Sequence, residues 1–266
     1  MKNVFVLFVL MAMISCDIKE NDLDPLVETY PMTVGSEWTY DRKLIVKKYE
    51  SETSDQIINT DTLHSVVRVW IEKDTLLKDA QQVKVFKCII DDYIYPVTSK
   101  SYKFIDHEGL KTYAYLNAGV NVFSQKEKGY LKSAFIFNPM SGHSLATDDE
   151  IIFESQPTLD IKFPLVNNSS WTYRQNVYQT NLPIEKKVIG PENVYLSGQN
   201  FPCYMVDWVF PDSRQGIKMT DWISDKGLIK RITINDRASM LHEDGTQTGD
   251  LFQITETLIL KAIDLK

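Results

Sequence analysis

Histidines are the side chains through which this sequence could most readily bind a metal or transfer a proton, and it contains four of them. No two have the spacing, as in His-Glu-x-x-His, that places two ligands on one helix face. The sequence also lacks a Gly-x-Ser-x-Gly elbow, a Walker loop, a Gly-x-Gly-x-x-Gly turn and a Cys-x-x-Cys pair. We therefore predict no catalytic residue, metal or cofactor, with a metal site assembled from distant segments as the alternative. The histidines are His64, His107, His143 and His242.

Neighbouring acidic residues are the other candidates for chemistry. Asp91 and Asp92, or residues 148–150, would serve as a glycosidase pair only if folding set two carboxylates roughly 5 to 9.5 Å apart across a cleft. Adjacent acids in loops are usually just solvated, so a hydrolase ranks third among the functions we consider. Residues 244–250 offer oxygen atoms to calcium but lack the alternating acids and terminal glutamate of a calcium loop, which favours a hairpin.

Cys16 has a different chemistry because of what precedes it. Lys2 is followed by an apolar run over residues 4–14, which is too short to cross a hydrocarbon core of about 30 Å as a helix. The run ends in Met-Ile-Ser-Cys, which resembles the lipobox of bacterial lipoproteins. In that family the peptide is cut before the cysteine and its thiol is acylated, typically with palmitate among the chains. The resemblance implies a signal peptide at residues 1–15 and a lipid anchor on Cys16.

The segment after Cys16 indicates where the anchor places the protein. Residues 16–28 are acidic and poor in apolar side chains, which predicts a flexible tether. An acidic stretch with a lysine at this place resembles the surface-export signal of Bacteroidota lipoproteins, so we expect the outer membrane and its cell-surface face. Asp17, directly after the cysteine, resembles an inner-membrane retention signal of enteric bacteria, and a periplasm-facing location is the alternative.

Charge and periodicity describe the remaining chain. Without residues 1–15 it has 28 basic and 36 acidic side chains, because only Lys2 is removed, and this net negative charge argues against a nucleic-acid partner. Apolar residues recur at a period of two, as in Val67, Val69 and Ile71, and residues 228–234 and 252–260 alternate in the same way. This pattern predicts strands rather than helices.

Two segments of the chain match each other. Residues 30–40 (Tyr-Pro-Met-Thr-Val-Gly-Ser-Glu-Trp-Thr-Tyr) align with residues 163–173 (Phe-Pro-Leu-Val-Asn-Asn-Ser-Ser-Trp-Thr-Tyr). Gly35 aligns with Asn168, and these are the two residue types that most readily adopt a left-handed turn. Cys88 and Cys203 hold matching places further along. We therefore predict an internal duplication, with a first β repeat at residues 29–157 and a second at residues 158–266.

The sequence leaves two alternatives for the bonding state of the cysteines and two for the role of the aromatic residues in the repeats. Cys88 and Cys203 are expected to be buried free thiols, or less readily a disulfide between the two repeats. The motif aromatics could pack in the core or line a ligand cavity, and core packing is the simpler interpretation. These aromatic residues are Trp38, Tyr40, Trp171, Tyr173, Trp208 and Trp222.

The motifs of the second repeat resemble a family. Residues 163–173, followed by Gly-Pro-Glu at 190–192, Pro-Cys-Tyr at 202–204 and Trp-Ile-Ser-Asp-Lys-Gly-Leu at 222–228, are similar to uncharacterised β-rich envelope lipoproteins of Bacteroidota. Such domains resemble the half-barrel of the Lol lipoprotein carriers, in which a curved antiparallel sheet shelters an apolar cavity. The resemblance implies a mostly β fold of two tandem half-barrel-like repeats, without catalytic residues.

The expected function follows from the anchor and the resemblance. We predict a lipid-anchored, non-enzymatic envelope lipoprotein that binds or scaffolds an apolar or amphipathic ligand or a protein partner. The alternative is a surface glycan-binding accessory protein, since aromatic side chains can stack on sugar rings. The membrane is a partner through the lipid, and the ligand, the partner and the oligomeric state are not specified by the sequence.

Overall fold

Strands dominate the protein, as the period-two alternation predicts, because a strand places every second side chain on the same face of a sheet. The computed structural model describes residues 26–91, 97–116, 122–124, 129–131, 151–175, 183–211, 216–241 and 247–266. Within these residues the helical structure is one short 3-10 turn, η1, and no helix is long and apolar enough to cross a membrane. The prediction of a mostly β protein is confirmed. The elements are β1 (Glu37–Tyr49), β2 (Ile57–Leu76), η1 (Lys78–Ala80), β3 (Gln82–Asp91), β4 (Val97–Ile105), β5 (Gly109–Leu116), β6 (Val122–Ser124), β7 (Gly129–Leu131), β8 (Ile152–Lys162), β9 (Ser170–Arg174), β10 (Ile184–Leu196), β11 (Gln199–Val209), β12 (Ile217–Ser224), β13 (Gly227–Leu241) and β14 (Gln247–Asp264).

The strands form an antiparallel sheet that curls into a nearly closed, barrel-like shape. Twelve of them follow one path in the order β8-β5-β4-β3-β2-β1-β14-β13-β12-β11-β10-β9. The path has two halves, β1 to β8 and β9 to β14. Within each half, strands that are consecutive on the path are also consecutive in the chain, except that β5 is followed by β8. The pairing of β1 with β14 joins the two halves. The outermost strands, β8 and β9, contact each other at the remaining gap. Off this path, β6 pairs with β7, and β7 pairs with β13.

The division that the sequence predicts between two repeats falls within a strand of the structure. Thr158 lies inside β8, where it pairs with Thr112 of β5. Pro157 precedes it in a stretch where the register between β5 and β8 shifts, so strand pairing continues past the proline. The division predicted at 157/158 therefore falls within β8, and the next strand, β9, begins at Ser170.

The turns that lead into β1 and β9 have the left-handed backbone that the sequence predicts. Gly35 has a φ of +89° and Asn168 a φ of +62°. In the first turn the Ser36 N–H donates to the Thr33 carbonyl at 3.1 Å, and in the second the Ser169 N–H donates to the Val166 carbonyl at 3.0 Å. The two turns therefore deliver the tryptophans of the following strands by the same backbone conformation.

Three aromatic rings, those of Tyr30, Trp38 and Phe86, pack together where the N-terminal segment meets the barrel. Trp38 stacks on Phe86 with ring centroids 6.4 Å apart, and Tyr30 lies 5.7 Å from Trp38. Gly227 makes this packing possible, because its φ is +105° and a Cβ there would lie 2.9 Å from the Tyr30 hydroxyl. The N-terminal segment is thereby held against the turn between β12 and β13, and Tyr30 forms a wall of the spaces described below.

Candidate functional site

A cluster of charged side chains lies inside the barrel. Lys103 on β4 is completely buried, and its ammonium group donates a hydrogen bond to Thr112 Oγ1 on β5 at 2.8 Å. It also donates to the carboxylate of Asp160 on β8, which accepts a second hydrogen bond from Thr112 at 2.6 Å. Burial lowers the pKa of Lys103, and the neighbouring Asp160 opposes this effect. Three adjacent strands are thus joined by one buried ion pair and a hydroxyl.

A second buried ion pair lies on β12 and β13 in the other half of the sheet. Arg231 donates two hydrogen bonds to Asp221, through Nε and through Nη2, the latter at 2.7 Å. The Trp208 indole N–H donates to the same carboxylate at 2.8 Å. Burial alone would raise the pKa of Asp221, but the Arg231 guanidinium outweighs it and holds the pKa below its ordinary value. Asp221 is therefore a fixed negative charge.

Lys186 on β10 faces both of these pairs. Its Nζ donates to the backbone carbonyl of Asp160 at 2.7 Å. The same atom lies 3.7 Å from the centre of the Trp208 ring and 4.7 Å from that of Tyr173. Burial lowers the pKa of Lys186 to about 7, against the attraction of Asp221 and Asp160. Lys186 therefore changes its charge near neutral pH.

These groups surround a small cavity of about 30 Å³. Its walls carry the three basic side chains Lys103, Lys186 and Arg231 and the two acidic ones Asp160 and Asp221. The charges balance when Lys186 is neutral and leave one positive charge in excess when it is protonated. The volume is enough for one or two water molecules and too small for an organic ligand.

A larger cleft shares Tyr30 and Lys103 with this cavity. It measures about 390 Å³ and lies between the N-terminal segment and strands β2, β3 and β4. Volumes of about 300–1,000 Å³ are typical of small-molecule sites, so the cleft is large enough to hold a ligand. Asp74 and Lys84 form an ion pair at 2.5 Å on its wall. The lining is half apolar and half polar: Tyr30, Met32, Val83, Phe104 and Ile105, with Thr29, Asp74, Gln82, Lys84 and Lys103.

The six aromatic residues that the sequence singled out are core residues in the structure, and none of them lines the cleft or the cavity. The indoles of Trp38 and Trp171 link the two halves of the barrel: the Trp38 indole donates to the Lys226 carbonyl at 2.7 Å. The Trp171 indole donates to the Leu159 carbonyl at 2.9 Å. The buried set is Trp38, Tyr40, Trp171, Tyr173, Trp208 and Trp222.

Cys88 and Cys203 are buried free thiols, and the bridge that the sequence allowed is not formed. They lie on β3 and β11, in different halves of the sheet, and burial raises the pKa of each to about 12.

Across the residues described, no group of three or more His, Cys, Asp and Glu side chains could hold a metal ion. His64 on β2 and His107 before β5 are exposed. Cys16, Asp92, His143, His242 and residues 148–150 lie outside the described residues.

The charged residues of the interior were missed by the sequence analysis, although the period-two pattern contains the signal. Lys186 lies between Ile184 and Val188, which are both buried, so alternation places all three on the inner face of β10. A charged residue in phase with buried neighbours needs a partner inside the protein. Searching each strand for such a residue would have found Lys186.

Comparison with known proteins adds no assignment to this geometry. No family model matches the sequence, and neither a curated protein nor a solved structure matches the chain.

Proposed function

We propose that this chain is a lipid-anchored cell-envelope lipoprotein that binds an amphipathic ligand in the cleft between its N-terminal segment and strands β2–β4. In this proposal residues 1–15 are a signal peptide, Cys16 carries the lipid, and the protein faces outwards from the outer membrane. It acts by binding rather than by catalysis. The periplasmic face is the alternative location.

The cleft carries the proposal. Met32, Phe104 and Ile105 supply apolar surface, while the ion pair of Asp74 and Lys84 supplies opposite charges on the same wall. A ligand with an acyl or ring portion and a polar head would satisfy both kinds of surface, because buried apolar area drives binding and polar groups fix orientation. A purely apolar ligand would leave the charged pair desolvated without compensation.

The position of the cleft along the chain suits a ligand taken from a membrane. Thr29 and Met32 line it, and they follow Cys16 by little more than a dozen residues. Even a fully extended chain of that length reaches only about 45 to 60 Å. The proposed lipid on Cys16 therefore keeps the cleft close to a bilayer surface.

The proposal includes the internal duplication, with each repeat contributing half of the barrel. The matched turns at Gly35 and Asn168 support it, as do their equivalent backbone hydrogen bonds. So does the strand path, in which six strands of the first half and six of the second lie in chain order, apart from the step from β5 to β8. In a fused pair of half-barrels, the charged cavity is the interior that the two copies share.

Native mass spectrometry tests the ligand proposal. The full chain would be extracted from cell envelopes in a mild detergent and weighed under native and then denaturing conditions. We expect a small-molecule adduct that survives in the native spectrum and disappears on denaturation, whereas the covalent lipid persists in both. Thr29→Trp would fill the cleft from its rim and remove the adduct.

Gln199→Trp is the matched control, because Gln199 is exposed at the start of β11 and is not part of the cleft. This variant should keep the adduct. A bare native mass for the unsubstituted protein, or an adduct that Thr29→Trp leaves intact, would show that the cleft is not a ligand site.

The two other functions have less support. Glycan binding by the motif aromatics would require ring faces open to solvent, and all six rings are buried. A hydrolase would require polar groups directed at a substrate, and the acids of the cavity are engaged with Lys103 and Arg231 in a space too small for one.

A further inference from the structure

Residues 57–65, the first half of β2, form an exposed edge of the sheet. On one side they pair with β1. On the other side, the pairing with β3 that the structure describes ends at Val66, opposite Asp91, and residues 92–96 lie outside the described part of the chain. As far as the structure describes the chain, no strand pairs with this outer edge. At about 3.4 Å per residue the edge is roughly 30 Å long.

Backbone geometry identifies the groups that this edge presents. The Ile71 N–H donates to the Ser36 carbonyl at 3.0 Å and its carbonyl accepts from the Gly35 N–H at 2.9 Å, so both backbone groups of Ile71 point towards β1. Strands β1 and β2 then pair without a register shift as far as Lys48. From Asn59 to Ile71, odd-numbered residues of β2 therefore direct their backbone groups to β1, and even-numbered residues direct theirs outwards. Along the edge, the outward groups belong to Thr60, Thr62 and His64.

The edge lacks the residues that usually protect an exposed strand from pairing with another chain. Natural sheets protect exposed edges with lysine, proline or inward-facing charges. Residues 57–65 read Ile-Ile-Asn-Thr-Asp-Thr-Leu-His-Ser, with no lysine, arginine, proline or glycine and a single carboxylate. Ile58 is 53 % exposed, and Ile57 and Leu63 are each 38 % exposed. Such a strand is expected to have a partner.

We propose that this edge pairs antiparallel with the same edge of a second copy of the chain, with Thr60 opposite Thr60. A two-fold axis through an antiparallel ladder must pass through one residue pair, because hydrogen-bonded and non-hydrogen-bonded pairs alternate. Centring the axis on Thr60 places outward-facing backbone groups opposite each other. It also places the exposed Ile58 opposite Thr62 of the second copy.

The polar pairs of this register are also complementary. Asn59 falls opposite Asp61 of the second copy, and within one chain the Asn59 amide already donates to the Asp61 carboxylate at 3.0 Å. The dimer thus brings two amides and two carboxylates together on one face. A register centred on Asp61 would set two carboxylates against each other, and one centred on Thr62 would set Asp61 against Leu63. The register centred on Thr60 avoids both of these contacts.

Cross-linking of the full chain tests the dimer. In the proposed register the Cβ atoms of the two Thr60 residues lie about 5.5 Å apart, so Thr60→Cys should be joined efficiently by a short bis-maleimide. The product should have twice the mass of the chain. Tyr195→Cys is the control, because Tyr195 is 72 % exposed on β10, away from the edge. It should give only background cross-linking.

Proline substitution separates strand pairing from random collision. Thr62 directs its N–H outwards, so Thr62→Pro in the Thr60→Cys background removes a hydrogen bond to the second copy and none to β1. We expect roughly a tenfold loss of cross-linked dimer, whereas Thr62→Ala, which keeps the N–H, should retain most of it. Circular dichroism would verify that both variants are folded. Equal cross-linking by Thr62→Pro and Thr62→Ala would overturn the proposal. So would a yield no higher than that of Tyr195→Cys, or a product containing a different protein.

Discussion

Replacing Lys186 by methionine should remove a pH dependence of stability that this one side chain creates. The unfolded chain holds the lysine proton up to about pH 10.5, whereas burial lowers the pKa in the folded protein to about 7. Between these values the unfolded state binds more protons, so the free energy of unfolding rises with pH. Below pH 7 both states are protonated and the contribution is constant.

The magnitude follows from the two pKa values. Each pH unit inside the window contributes about 1.4 kcal/mol, and partial titration reduces this near pH 7. Between pH 7 and pH 9 the contribution of Lys186 to the free energy of unfolding is therefore about 2 kcal/mol. Solvent screens the charge of Lys186 very little, because the side chain is only 3 % exposed. The buried thiols and tyrosines also titrate in alkaline solution, but they are unchanged by the substitution and cancel in the comparison.

Urea unfolding followed by tryptophan fluorescence measures this effect. The unsubstituted protein and Lys186→Met would be compared at pH 7, 8 and 9, and their difference in unfolding free energy should change by about 2 kcal/mol. Lys187→Met is the matched control, since the neighbouring Lys187 is exposed on the same strand, and its difference should stay flat. If Lys186→Met and the unsubstituted protein show the same pH slope, Lys186 is not the buried titrating amine that its surroundings require.

Two further predictions concern the buried pair and the tight turn. Asp221→Asn should lower the free energy of unfolding by about 3 to 5 kcal/mol, because it leaves the buried Arg231 guanidinium without its counter-charge. Asp225→Asn, on an exposed turn, should change it by less than about 0.5 kcal/mol in the same urea titration. Gly227→Ala should be more destabilising than Gly198→Ala, by about 1 to 3 kcal/mol, since both glycines have positive φ but only at Gly227 would the new Cβ meet neighbouring side-chain atoms. Equal unfolding free energies for the two alanine variants, measured by thermal and urea denaturation, would contradict this account of the turn.

The strand content was predictable because alternation is a local property of the sequence. Val67, Val69 and Ile71 are all buried, as one face of a strand should be. The left-handed turn residues were also predictable, because few residue types tolerate that conformation. In both cases the evidence lies within a few residues of the feature it predicts.

The charged interior was not predictable in the same way. Alternation in residues 228–234 indicates a strand, but it does not decide that the face with Arg231 and Thr233 is buried, because that depends on Asp221 lying on the neighbouring strand. The cleft depends equally on distant segments, since Tyr30 and Lys103 meet only in the folded chain. Sequence periodicity predicts which residues form strands. The order of the strands in the sheet decides which residues become the partners of a buried charge.

The pairing of β1 with β14 has a consequence for how the protein is made. Glu37 lies opposite Asp264 in this ladder, so one of the first strands to be synthesised finds its neighbour only when the last described strand has emerged. Contacts between such distant parts of a chain form slowly, because the entropy of closing a large loop is lost before any strand pairing offsets it. An incomplete chain therefore cannot close the ring and stays open during synthesis. If the chain is exported as proposed, that delay would keep the polypeptide unfolded while it crosses the membrane.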